Sequence, residues 1–226
     1  IGCGKTTLVH HLINNYHDDV IVGYLYNTPQ NMAELMQWIM LTFDLPFEGL
    51  SEVAMHQQLQ KYLVKNYTEN IKTVLIVDEA QNLSIEALES LRMLSNINHD
   101  KHQLLQMILV GQPQLKKMLL RPELQQFNQR VSVEFFLTPL EIVDVKNYIQ
   151  HRLKKAGRTK EIFTEGAYQR IAEASKGIPR VINVLCDLVL VYGYSSGQEI
   201  IDEKVVDEVI QDKERYGVFS VANDNI

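Results

Sequence analysis

Two aliphatic runs limit the fold more than any other feature of the chain. KTVLIVDEAQ (72–81) and LLQMILVGQP (104–113) are nearly continuous in Val, Ile, Leu and Met, and each stops at polar or turn-forming residues. Such a run has no polar face to turn toward water, so it predicts a strand covered on both sides, as in a parallel sheet. DVIVGYLY (19–26) and VSVEFFL (131–137) carry the β-branched and aromatic residues of two further strands. Between them apolar residues recur at helical spacing. NMAELMQWIMLTF (31–43), SEVAMHQQLQKYLVKNY (51–67, with Ser51 as N-cap) and SIEALESLRMLSNI (84–97) read as helices. So does the stretch after Gly4, with Leu8, Leu12 and Ile13 as its apolar stripe. PQLKKMLL and PELQQFNQ read as two short helices. Strands alternating with helices predict an α/β fold, a parallel sheet with helices on both faces.

The pattern changes at Thr138, after which no strand is predicted. TPLE offers Thr138 as N-cap, Pro139 at the first helical position and Glu141 to complete a capping box. Helices are expected at about 139–156, 164–175, 179–193 and 202–213. The expected organisation is therefore an α/β core over 1–138, a helical segment over 139–215 and a frayed tail over 216–226.

Composition narrows the function classes. The net charge of −6 does not favour nucleic acid as a partner, since neutralising phosphates takes a surplus of Lys and Arg. The basic stretch HRLKKAGRTK (151–160) reads as a solvated helix end, and His10, His11 and His17 read as surface residues. Cys3 and Cys186 stand far apart with no CxxC spacing, which argues against a zinc site or a disulfide framework. No run is apolar and long enough to span a membrane. A reducing, cytoplasmic setting follows most simply.

Chemistry concentrates at the strand ends and at the start of the chain. Gly2, Cys3, Gly4, Lys5 and Thr6 match the end of the pattern G-x-x-x-x-G-K-[ST], and Thr7 follows as a further candidate nucleotide-binding residue. In such a loop backbone N–H groups surround a phosphate, Lys5 reaches the β- and γ-phosphates, and the Thr6 hydroxyl binds Mg²⁺. The Cys3 side chain is expected to point away from the ligand. Asp78 and Glu79 end the 72–81 run, where ligands of parallel sheets bind. Asp78 is the candidate metal residue and Glu79 the candidate general base on an attacking water.

The segments GCGKTTL, LIVDEAQNLS, LESLRMLSN, LLQMILVGQPQL, QRV, TPLE, YIQHRLKKAG and GIPRVINVLCD together resemble the AAA+ ATPases. More narrowly they resemble the general-secretion-pathway protein A (ExeA-like) group, with its MSHA-pilus and exosortase/PEP-CTERM-associated ATPases. That resemblance covers residues 1 to about 190 and implies Mg²⁺-dependent ATP hydrolysis by an oligomer that drives secretion, pilus or polysaccharide-export assembly. It implies that Gln112 acts as the sensor-1 residue and that Arg180 reaches nucleotide phosphates from a helical lid. It implies that Arg130, with Arg121 as a rival, serves as an arginine finger toward a neighbouring subunit. It implies a cytoplasmic location, with membrane contact only through regions outside these residues. The strand before the phosphate loop, central in that family's sheet, precedes Ile1. The chain is therefore expected to be part of a longer protein and, alone, to bind ATP poorly. The alternatives are a DNA-linked AAA+ regulator of the transposition type and a non-catalytic scaffold.

Overall fold

A computed structural model describes residues 2–17, 19–26, 32–99 and 102–216. The elements run α1 (Lys5–Asn15), β1 (Val20–Leu25), α2 (Met32–Thr42), α3 (Glu52–Thr68), β2 (Lys72–Val77), α4 (Ile85–Leu94), β3 (Asn98–His99), β4 (His102–Gln103), β5 (Leu105–Leu109), α5 (Pro113–Leu119), α6 (Gln125–Asn128), α7 (Ile142–Lys155), α8 (Glu165–Ser175), α9 (Pro179–Ser195) and α10 (Glu203–Tyr216). The chain divides into two compact units. Lys5–Phe135 forms one, and the residues before Lys5 and after Phe135 form the other.

In the α/β unit β1, β2 and β5 make a parallel sheet in the order β1-β2-β5. The register pairs Leu25 with Val77 and Val77 with Leu109, so the three strands end level. The residues that follow therefore emerge along one edge, where Asp78 N–H donates to the Leu25 carbonyl and Val110 N–H to the Val77 carbonyl. Alternation sends the side chains of β2 to both faces. Val74 and Ile76 meet Val9 and Ile13 of α1 on one face. Leu75 and Val77 join the larger core of α2, α3 and α4 on the other, which includes Ile39, Met40, Leu59, Leu88 and Leu91. This two-sided burial accounts for the unbroken aliphatic run of 74–77. Ser51 caps α3 as its position suggests, accepting from the Ala54 N–H at 3.3 Å.

Several sequence expectations are corrected here. On α1 the inner line is Val9 and Ile13, whereas Leu8 and Leu12 are 46% and 37% exposed. VSVEFFL (131–137) is not a strand. Val133 is 72% and Phe135 90% exposed, and Glu134 pairs with the side chain of Lys116 at 2.7 Å. Its β-branched and aromatic residues suit a pleated surface, but a strand exists only where a neighbour supplies N–H and C=O partners. No described residue does so. The antiparallel pair β3–β4 was not foreseen, being too short to leave a periodic signal. Asn31 and the tail from 217 lie outside the described residues.

The second unit is helical and has its own core. Val145, Ile149, Ile171, Ile182, Leu185, Val189, Val206 and Val209 are buried together. The capping box at Thr138 does not form. α7 begins at Ile142 behind Glu141, whose side chain makes no capping bond. The turn before α9 explains the late start, since Leu140 N–H donates to the Gly177 carbonyl at 2.8 Å and holds that residue outside the helix. Gly177 has φ +70, and a Cβ there would stand 2.0 Å from the Leu140 carbonyl oxygen. Gly177→Ala is therefore expected to lower stability by about 1–3 kcal/mol from backbone strain alone. Thermal unfolding of the variant beside wild type measures it.

Candidate functional site

The site begins where the backbone is unusual. Gly2 and Gly4 have φ +85 and +87, conformations open to glycine but strained for other residues. A Cβ at Gly4 would meet nothing within 4 Å, so the requirement there is conformational, whereas a Cβ at Gly2 would stand 2.8 Å from Arg180 Cβ. Helix α1 begins at the very next residue, Lys5. Its first turn therefore presents unpaired N–H groups and the positive end of the helix dipole, the arrangement that favours a bound anion.

Within the α/β unit the ends of β1, β2 and β5 deliver the remaining side chains. Asp78 is buried and its carboxylate is held from three directions. The Tyr24 hydroxyl donates to Oδ2 at 2.8 Å, the Glu79 N–H to Oδ1 at 2.8 Å, and the Thr6 hydroxyl faces Oδ2 at 3.4 Å. That last distance is long for an O–H···O bond, which leaves the two oxygens loosely joined. Burial pushes the Tyr24 phenol up to about 12, and its bond to Asp78 adds to the shift, so Tyr24 stays a donor at neutral pH.

Glu79 adopts a left-handed backbone, φ 50 and ψ 36, at the entry to the 3₁₀ turn Ala80–Asn82. A non-glycine residue in this region is strained, and such strain clusters at functional sites. The conformation takes Glu79 out of the strand line. Its Oε2 accepts from Gln81 Nε2 at 2.5 Å and from Gln112 Nε2 at 3.1 Å. The Gln81 bond first, then that of Gln112, holds the Glu79 carboxyl below the usual carboxylate range, and the charge of Lys5 lowers it further. Gln112 occupies the N-cap position of α5 but makes no side-chain capping bond there, its amide going to Glu79 instead.

Of the residues singled out from sequence, the fold thus brings Thr6 to Asp78 and Gln112 to Glu79. Thr7 is exposed, and Cys3 is half-buried. Arg130 and Arg121 are exposed and have no ion-pair partner among the described residues. In the helical unit Arg180 is an exposed residue in the first turn of α9, its N–H donating to the Gly2 carbonyl at 3.2 Å. Two residues went unforeseen. Tyr24 was one aromatic of the strand run 19–26, and Gln81 the last residue of the run 72–81, with no role given to either. Burial pushes the Cys186 thiol up to about 12, and it takes no part in this site.

Among the described residues no group of His, Cys, Asp and Glu gathers to hold a metal. A cation here would rest on the Thr6 hydroxyl and the Asp78 carboxylate. Hard oxygen donors of this kind, few in number, suit Mg²⁺ shared with phosphate and water.

Comparison with known proteins shows the family. The family model described as AAA domain matches residues 1–119, which contain the glycine loop, β2 and β5. The chain belongs to the AAA domain family. The AAA domain chain is also 36% identical over 200 residues to general secretion pathway protein A of Aeromonas hydrophila. That match covers 87% of this chain and 36% of the relative, so the chain spans about a third of that protein's length. Among solved structures, the fold resembles Cdc6p from Pyrobaculum aerophilum with a TM-score of 0.73 at 19% identity, covering 93% of this chain and 58% of that one. It resembles the Aeropyrum pernix ORC2 protein in ADPNP–ADP complexes with a TM-score of 0.67 at 17% identity, covering 93% and 59%. These two likenesses concern the fold alone. No helix among the described residues is long and apolar enough to cross a membrane.

Proposed function

We propose that this AAA domain binds and hydrolyses ATP with Mg²⁺ and that its turnover drives or regulates assembly of a secretion, pilus or polysaccharide-export system. One observation carries the catalytic part. A hydroxyl and a carboxylate (Thr6 and Asp78) face each other beside a strained glutamate whose carboxylate the Gln112 amide holds. Lys5 and the N–H groups at the start of α1 bind the phosphates. Thr6 and Asp78 would hold the cation, with Tyr24 keeping the Asp78 carboxylate in place. Mg²⁺, when bound, would supply positive charge against the phosphate oxygens. Glu79 orients the attacking water and accepts its proton, and Gln112 sets the direction of that carboxylate. The resemblance to AAA+ ATPases assigns Arg180 a phosphate contact. Arg130, exposed and without an ion-pair partner among the described residues, suits a finger offered to a second copy of the chain. The assembly role rests on the relation to general secretion pathway protein A.

Steady-state ATP turnover by the full-length protein, with divalent cations removed by chelation and then restored, tests the reading. Turnover is expected to fall at least about 10²-fold without the cation and to return with Mg²⁺. Cation-independent turnover would refute the metal assignment, and no ATP turnover at all would refute the enzyme reading.

A further inference from the structure

Gln81 lies two residues beyond Glu79, and the 3₁₀ turn between them folds its side chain back along the glutamate. Each half of its amide is engaged. Nε2 donates to Glu79 Oε2 at 2.5 Å, and Oε1 accepts from the backbone N–H of Gln112 at 2.9 Å. A backbone N–H can only donate, so the second bond fixes the amide orientation and leaves the NH₂ group facing the carboxylate. Gln112 then donates its own side-chain amide to the same Glu79 oxygen at 3.1 Å. The result is a closed ring of bonds through Glu79, Gln81 and Gln112. Gly111 makes room for it, since a Cβ there would lie 3.0 Å from Gln81 Oε1 and 2.8 Å from Leu115 Cδ2.

The ring treats the two oxygens of Glu79 unequally. Both amide donors converge on Oε2, while Oε1 receives no donor from any described residue. A carboxylate on a half-exposed side chain would otherwise sample several rotamers and present either oxygen to solvent. We propose that Gln81 is a positioning residue, which locks Glu79 to the β5–α5 loop through Gln112 and leaves Oε1 as the oxygen offered to the attacking water. The proposal rests on the hydrolytic reading above. Gln81 touches neither nucleotide nor metal in this role. It acts through Glu79, and its effect should fall on kcat.

The test uses Gln81→Met and Gln81→Glu in the full-length protein. Methionine has a similar length and removes both bonds. Glutamate retains an acceptor for the Gln112 N–H but replaces the donor to Glu79 with a second carboxylate. Because misplacing a catalytic group by about 1 Å can cost on the order of 10²-fold, both variants should lose roughly 10–10² in kcat with KM for MgATP within about threefold. Combined with Glu79→Gln, Gln81→Met should add less than about threefold, because residues that act as a unit are not additive. Amide hydrogen exchange at Gln112 reads the ring without any turnover. It should quicken in Gln81→Met and stay slow in Gln81→Glu, with thermal unfolding near wild type in both. Retained kcat in both variants, losses that simply multiply with Glu79→Gln, or unchanged exchange at Gln112 in Gln81→Met would each overturn the proposal. If wild type fails to turn over ATP, the hydrolytic reading falls, and the exchange experiment still decides whether the ring exists.

Discussion

Glu79→Gln is expected to bind ATP with near wild-type affinity and to turn it over about 10²–10⁴-fold more slowly, the usual range for loss of a general base. The two side chains are nearly isosteric, so the turn at Ala80–Asn82 should survive. What changes is the chemistry at the end of the chain. The glutamine's oxygen can still receive the amides of Gln81 and Gln112, but no carboxylate remains to take a proton from water. The pH dependence has a definite sign. The two amides, Gln81 before Gln112, stabilise the ionised form of Glu79 and lower its pKa. The base form is therefore present throughout the neutral range, and its contribution is lost only as pH falls through a value below the ordinary carboxylate range. A turnover profile that lost activity between pH 7 and 6 would owe that loss to another group.

The second large effect is expected at Lys5→Ala, and it should fall on binding. Lys5 opens α1 directly after the left-handed Gly4. A charge-assisted hydrogen bond contributes about 1.5–3 kcal/mol, so its removal should weaken ATP binding roughly 10–150-fold. The residue is half-exposed and its truncation opens no cavity in the core, so folding should be little changed. Calorimetric titration with ATP measures the affinity. Binding unchanged by Lys5→Ala would mean that the glycine loop does not grip phosphate.

The parts of this structure that were legible in the sequence are those where one physical demand dominates. β2 and β5 read as strands because their runs offer almost no polar face; burial on both sides meets that demand at β2, and β5 is partly covered on each side. Acidic residues at the end of such a strand necessarily emerge at the ligand-binding edge, which is why Asp78 and Glu79 stood out. Elements that depend on a partner were harder to read. VSVEFFL has the composition of a strand but no described neighbour to pair with. Thr138 has the spacing of a cap, yet the bond from Leu140 to Gly177 delays α7 until Ile142. Tyr24 and Gln81 escaped notice for a different reason. Tyr24 alternates with core residues on β1, and only the parallel register with β2 brings its hydroxyl to Asp78. Gln81 became visible only through the 3₁₀ turn and the approach of Gln112 across 31 residues of sequence. A local pattern cannot encode a contact of that kind.

The central claim is that Lys5, Thr6, Asp78, Glu79 and Gln112 form one ATP-hydrolysing site in which gripping and cleaving belong to different residues. Single-turnover cleavage of γ-labelled ATP, with full-length protein in excess and Mg²⁺ present, tests it most directly in wild type and Glu79→Gln side by side. The account predicts that both bind the same fraction of nucleotide, that wild type releases labelled phosphate, and that the variant holds intact ATP at least about 10²-fold longer. Equal rates of cleavage in the two proteins, or binding by wild type with no cleavage, would contradict it.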